Sequence, residues 1–117
     1  MNSRDLEQRT RQFALRVLRF VAELPRSNVG DIIGRQLLKA GTSIGANYRE
    51  ASRAESKADF VHKIGITEKE AAETQYWIEL CDDANLGQPE DRRWLLGECA
   101  ELLAIFTSSG RTAKGKR

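Results

Sequence analysis

Apolar residues recur along this chain at three- and four-residue steps in four stretches, each bounded by residues that start or stop helices. The first runs from about Ser3 to Leu24, where Leu6, Phe13, Val17, Phe20 and Leu24 form one stripe. Pro25 closes it, because proline disfavours helical geometry in the residue before it. The second opens with Asn28 as its expected cap and continues to about Arg53. At ~100° of rotation per residue, Ile33, Leu37, Ala40, Ile44, Tyr48 and Ala51 share its inner face. Gly41 and Gly45 interrupt this helix, each at ~1 kcal/mol of helix propensity relative to alanine. Their four-residue spacing puts both on one side, which fits close approach of a neighbouring helix; a kink is the rival explanation.

The third stretch has Ser56 as its cap, Asp59 in its first turn and an end near Asn85, where Leu86-Gly87 breaks the pattern. Its inward stripe is Phe60, Ile64, Thr67, Ala71, Ile78 and Cys81. Pro89, Glu90 and Asp91 suit the first turn of a fourth helix, with Leu95, Cys99, Leu102 and Phe106 facing inward. Ser109-Gly110 ends the periodic pattern. The expectation is an all-α, antiparallel up-down four-helix bundle over residues 1–109, followed by a basic, disordered tail over 110–117. That tail carries Arg111, Lys114, Lys116 and Arg117 and no apolar anchor.

The third helix carries more apolar surface than one bundle uses. Ile66, Trp77, Leu80 and Ala84 gather nearly opposite its inward stripe, and Trp94 and Ile105 on the fourth helix extend that row. Such a row exposed on a lone protomer marks an interface, so self-association is expected. The competing explanation is an irregular bundle that covers these residues internally.

The outer side of the second helix has a different character. Arg35, Lys39, Arg49 and Arg53 line up within roughly 80°, and Lys57 and Lys63 continue the positive segment into the third helix. Arginine meets phosphate oxygens in pairs and lysine meets them as a point charge, so the row suits RNA or DNA, or an acidic protein surface. Glu50 and Glu55 lie nearby, and a solvated face of ordinary ion pairs is the plainer alternative. With no stacked aromatic platform and no zinc-finger spacing, nucleic acid would bind through its backbone or shape, with strong salt dependence.

Composition narrows the rest. The 117 residues, with net charge +2, make one domain. No apolar run approaches the ~20 residues that cross a bilayer, and the charged start MNSRDLEQRTRQ is unlike a secretory signal. Cys81 and Cys99 share no CxxC pattern and read as reduced core residues of a cytoplasmic protein. Ser43, His62 and Asp59 do not assemble into a triad by spacing. A di-iron bundle needs paired Glu-x-x-His motifs, whereas this chain offers Asp59-x-x-His62 and Glu70-x-x-Glu73. Phosphate-loop and dinucleotide-binding glycine patterns are missing. The expectation is a non-enzymatic binding protein with no metal and no cofactor.

The segment QLLKAGTSIGANYREA, followed by RAESKADFVHKIGITEKEAAETQYWIEL, resembles the bacterial four-helix bundle family, also called the 23S ribosomal-RNA intervening-sequence protein family. The likeness covers about Phe13 to Leu103 and is most specific at Gln36, Lys39, Ala40, Ser43, Ile44 and Asn47. The family's frequent Ala-Glu-Gly ending is replaced here by Tyr48-Arg49-Glu50-Ala51, which adds a positive charge. The resemblance implies a four-helix subunit that assembles into a ring-forming homo-oligomer, commonly a homopentamer. A related protein, the accessory variability determinant of diversity-generating retroelements, is a basic pentamer that binds a reverse transcriptase and nucleic acid. By that analogy this chain is expected to be a scaffold for RNA or DNA and a protein partner such as a reverse transcriptase; the alternative is a protein-binding adaptor without nucleic acid.

Overall fold

A computed structural model describes residues 1–115. Its elements are α1 (Ser3–Ala22), α2 (Asn28–Ser52), α3 (Lys57–Asp83) and α4 (Pro89–Ala113), with no strand among the described residues. Helices of this length at ~1.5 Å per residue account for the long axis of a body measuring 45 × 23 × 22 Å. Each helix packs on its neighbours in sequence, and α1 returns to α4 to close the bundle. Short connections make the neighbours antiparallel: Ser52 and Arg53 at the end of α2 reach Glu7 near the start of α1. Likewise Thr107, late in α4, donates to Glu68, in the first half of α3.

The caps explain where the helices begin. Asn2 accepts from the Asp5 N–H, and Ser56 accepts from the Asp59 N–H. The cap of α2 is Ser27, one residue earlier than the expected Asn28. Its hydroxyl takes the Gly30 N–H at 3.0 Å from an extended backbone, and Asn28 becomes the first helical residue. Pro89 sits in the first turn of α4, where its missing N–H leaves no helical bond unmade. At the other end α4 continues through Gly110 to Ala113, past the expected stop at Ser109. Gly110 is buried against Ile64 of α3, so tertiary packing holds the last turn. Arg111 is therefore helical and Lys114 is the C-cap, while Lys116 and Arg117 lie outside the described residues.

The core is the set of inward stripes. Phe13, Val17, Leu37, Ile44, Ile64, Ile78, Leu95, Leu102 and Phe106 are fully enclosed, while Ile33 and Phe60 sit at its margin. Thr10, Thr67 and Thr74 are also enclosed, because each hydroxyl donates to the carbonyl four residues earlier. Cys81 and Cys99 are free and buried, and burial pushes their thiols up to about 11 and about 12. Between α1 and α2 the glycines permit close approach. A Cβ on Gly41 would stand 2.9 Å from Val17, and one on Gly45 3.3 Å from Thr10. These contacts with α1 are the close approach that the glycine spacing anticipated.

Two features of the bundle were not legible in the stripes. Arg92 is buried, with its Nε 2.7 Å from Asp82 and its Nη1 donating to the Leu86 and Gly87 carbonyls. It thereby ties the α3–α4 turn to α4. Gly87 has a left-handed φ of 78° there, and a side chain would run into the Phe20 ring. On the α1–α4 seam, Arg9 holds Glu98 at 2.6 Å and Glu101 at 2.9 Å. The bond to Glu98 keeps the Arg9 guanidinium even more firmly protonated than usual.

Candidate functional site

The second apolar row lands partly inside the protomer. Trp77 and Ile105 pack against the core cluster, Ile66 and Leu80 are half-buried, and Ala84 is the exposed C-cap of α3. Trp77 is turned only ~100° from its inward neighbour Ile78, which sets it on a flank of α3 and not on its back. Glu70 shares that flank, and it feels the charge of Lys39 on α2, so the flank faces α2. Trp94 keeps 38% exposure, stacking on Phe13 at 6.3 Å beneath the Arg16 guanidinium at 3.9 Å. Within the helices, the large apolar side chains with most surface in water are others: Val29 and Ile32 on α2, Leu15 and Leu18 on α1, and Tyr76 on α3. Nothing in the sequence periodicity had singled them out.

The cationic row is exposed along α2 at Arg35, Lys39, Arg49 and Arg53, but the fold divides it. The charge of Lys39 is felt by Glu70 on α3. That carboxyl is raised, first by burial and then by Glu73, with Lys39 and Lys69 opposing. Lys63 pairs with Asp59 at 3.4 Å, four residues earlier on its own helix. The Asp59 carboxyl is held low, chiefly by the Glu55 N–H it accepts from. Lys57 is exposed but lies ~120° round α3 from Lys63, so these two do not prolong one face.

Arg49 and Arg53 turn toward α1, where the structure adds partners that the α2 pattern alone does not contain. A groove between α1 and α2 is lined by Arg4, Arg11, Arg49 and Arg53, over a floor including Ala14, Leu15, Gly45 and Ala46. Among the described residues lining it, Glu7 is the one acid. Glu7 stands 3.2 Å from Arg53 and 3.7 Å from Arg49. Arg4 and Arg11 repeat at a seven-residue interval, two turns apart on one face of α1, which is the signal that would have found them. They were missed because pairing them with Arg49 and Arg53 needs the register of two helices.

The groups weighed for catalysis stay apart in role. Ser43 donates to the Lys39 carbonyl at 2.6 Å, and Asn47 to the Ser43 carbonyl at 2.8 Å, both within α2. His62 is exposed on α3 beside the Asp59–Lys63 pair. Among the described residues no cluster of three or more His, Cys, Asp or Glu side chains is placed to hold a metal ion. No helix among them is long and apolar enough to cross a membrane. The lining of the open α1/α2 groove carries four guanidiniums and one carboxylate, a net positive charge.

A family profile described as 23S rRNA-intervening sequence protein matches residues 3–108. The structure is similar to a crystal structure from Bacteroides thetaiotaomicron, described as a protein of unknown function from the S23 ribosomal protein family. The two share 32% identity and a TM-score of 0.85, over 95% of this chain and 99% of that one. No curated protein matches the chain.

Proposed function

Because this chain belongs to the 23S rRNA-intervening sequence protein family, and its structural relative is of unknown function, we propose a role from its surface: a non-enzymatic cytoplasmic scaffold whose α1/α2 groove grips the phosphate backbone of RNA or DNA. The observation that carries this is the convergence of Arg4, Arg11, Arg49 and Arg53 around one groove with Glu7 as its acid. Guanidiniums in a row match successive backbone phosphates, and the floor of the groove has no aromatic ring on which a base would stack. Binding is therefore to backbone and shape, not to sequence.

Self-association multiplies this weak site. Val29, Ile32 and Tyr76 supply exposed apolar surface in addition to the half-covered Trp77 and Leu80, and a ring of copies would repeat the groove around its rim. Contacts that are individually weak gain through effective concentration once one groove is engaged. Lys39, Arg35 and Lys57, on other flanks, would add diffuse attraction for a long polyanion or for an acidic protein partner such as a reverse transcriptase.

Filter binding of a structured RNA at rising salt tests the reading. Replacing Arg49 and Arg53 with alanine is expected to weaken binding and to reduce the slope of log affinity against log salt by about one for each phosphate no longer neutralised. Affinity that ignores both salt and these substitutions refutes it. A protein partner that still co-purifies after nuclease treatment, with no RNA retained, would favour the adaptor.

A further inference from the structure

Glu7 lines the groove and already gives Arg49 and Arg53 part of what a phosphate would give them. Its Oε1 lies 3.2 Å from Arg53 Nη1 and 3.7 Å from Arg49 Nε, and its Oε2 accepts from the Ser52 hydroxyl at 3.4 Å. The Glu7 side chain is 25% exposed, whereas those of Arg49 and Arg53 are 64% and 61% exposed. The carboxylate is thus held in place while the guanidiniums stay open to solvent. Among the described residues, neither Arg4 nor Arg11 forms an ion pair.

We infer that Glu7 is a built-in competing anion that makes the groove select by valence, rejecting single small anions and admitting only runs of linked phosphates that engage both helices. The inference rests on the phosphate-binding reading of the groove. A lone phosphate near Arg49 and Arg53 either displaces Glu7, exchanging one anionic partner for another, or sits beside it and is repelled. Neither route gains much. A chain of phosphates that also reaches Arg4 and Arg11 adds contacts that Glu7 cannot supply, and its second contact is intramolecular. The ligand class is therefore a linear polyanion with closely spaced phosphates.

Fluorescence anisotropy of a labelled RNA duplex, with the full chain and its Glu7→Gln variant, tests this. Removing a negative charge about 4 Å from a bound phosphate is expected to raise affinity about fivefold. The salt slope should steepen by about one, because a freed guanidinium now meets a phosphate. Tripolyphosphate should displace RNA from the wild-type protein where the same concentration of orthophosphate does not, and Glu7→Gln should narrow that gap. Weaker RNA binding by Glu7→Gln, or orthophosphate competing as well as tripolyphosphate against wild type, overturns the inference, since Glu7 would then be positioning the arginines. If Glu7→Gln does not fold, judged by its melting curve, Glu7→Asp serves, and its shorter carboxylate should give a gain in the same direction; a loss overturns the inference. Unchanged RNA binding in Arg49→Ala/Arg53→Ala is a different failure, because it removes the phosphate site itself.

Discussion

Replacing Gly41 with alanine sets two magnitudes against each other, and the structure decides the sign. Alanine is worth about 1 kcal/mol over glycine inside a helix. The added Cβ, however, would stand 2.9 and 3.0 Å from the two methyls of Val17 and 3.3 Å from its Cβ. Val17 is fully enclosed in the core, and on a helix its branched side chain has essentially one χ1 well. It cannot swing aside, so the helices must separate, and overpacking of this kind costs about 1–3 kcal/mol. The net expectation is destabilisation of about 1 kcal/mol. Gly97→Ala is the internal control, because no atom lies within 4 Å of a Cβ there and the propensity gain is unopposed. The two variants should differ by about 2 kcal/mol in urea unfolding followed by circular dichroism at one protomer concentration. Val17→Ala should also cost less in the Gly41→Ala background than alone, with a coupling of about 1 kcal/mol. Equal stabilisation by both alanines, or additivity with Val17, would refute the packing argument.

Arg92→Met keeps the stem but leaves the Leu86 and Gly87 carbonyls without their donor, so a destabilisation of about 2–3 kcal/mol is expected in the same assay. The Asp82 pair adds little, because that carboxylate is 48% exposed, and an effect too small to resolve would mean water replaces the guanidinium. For the thiols, burial lifts Cys81 to about 11 and Cys99 to about 12 from 9.0, so the folded protein keeps protons that the unfolded chain releases. Their stabilising contribution is complete below about 9 and declines as pH climbs through 11 to 12. Urea midpoints should therefore fall at alkaline pH, and fall less in a Cys81→Ala/Cys99→Ala variant; equal declines would contradict this. Light scattering should give a mass above the 13.2 kDa of one chain, lowered by substituting glutamate at Ile32, which is 60% exposed and lies outside the core. A wild-type protein that stays monomeric at micromolar concentration would end the oligomer proposal.

The core was readable because every inward stripe is local: the 3.6-residue period places Leu37, Ala40, Ile44 and Tyr48 together whatever they pack against. Ser56 and Pro89 were legible for the same reason, since capping chemistry acts within one turn. Ser27 was not, because Ser and Asn are equally good caps and only backbone geometry chooses between adjacent ones. Features that need two helices in register stayed hidden. Arg92 looks like a surface residue of a helix start until the α3–α4 turn presents carbonyls to it. Trp77 looks exposed along α3 alone, yet it packs against the core cluster. The basic row was visible along α2, but its strongest part is shared with α1.

That sharing follows from the glycines. Gly41 and Gly45 weaken α2 as an isolated helix, yet their missing side chains let it approach Val17 and Thr10 of α1. Gly45 also lies in the floor of the groove, between the arginines of one helix and those of the other. A bulkier residue there would push the helices apart and widen the interval between their arginines. Close packing in the interior therefore sets the spacing of charge on the surface. In this bundle helix propensity given up at two positions brings the arginines of α1 and α2 to one groove, where Glu7, one turn before Arg11, pairs with Arg49 and Arg53.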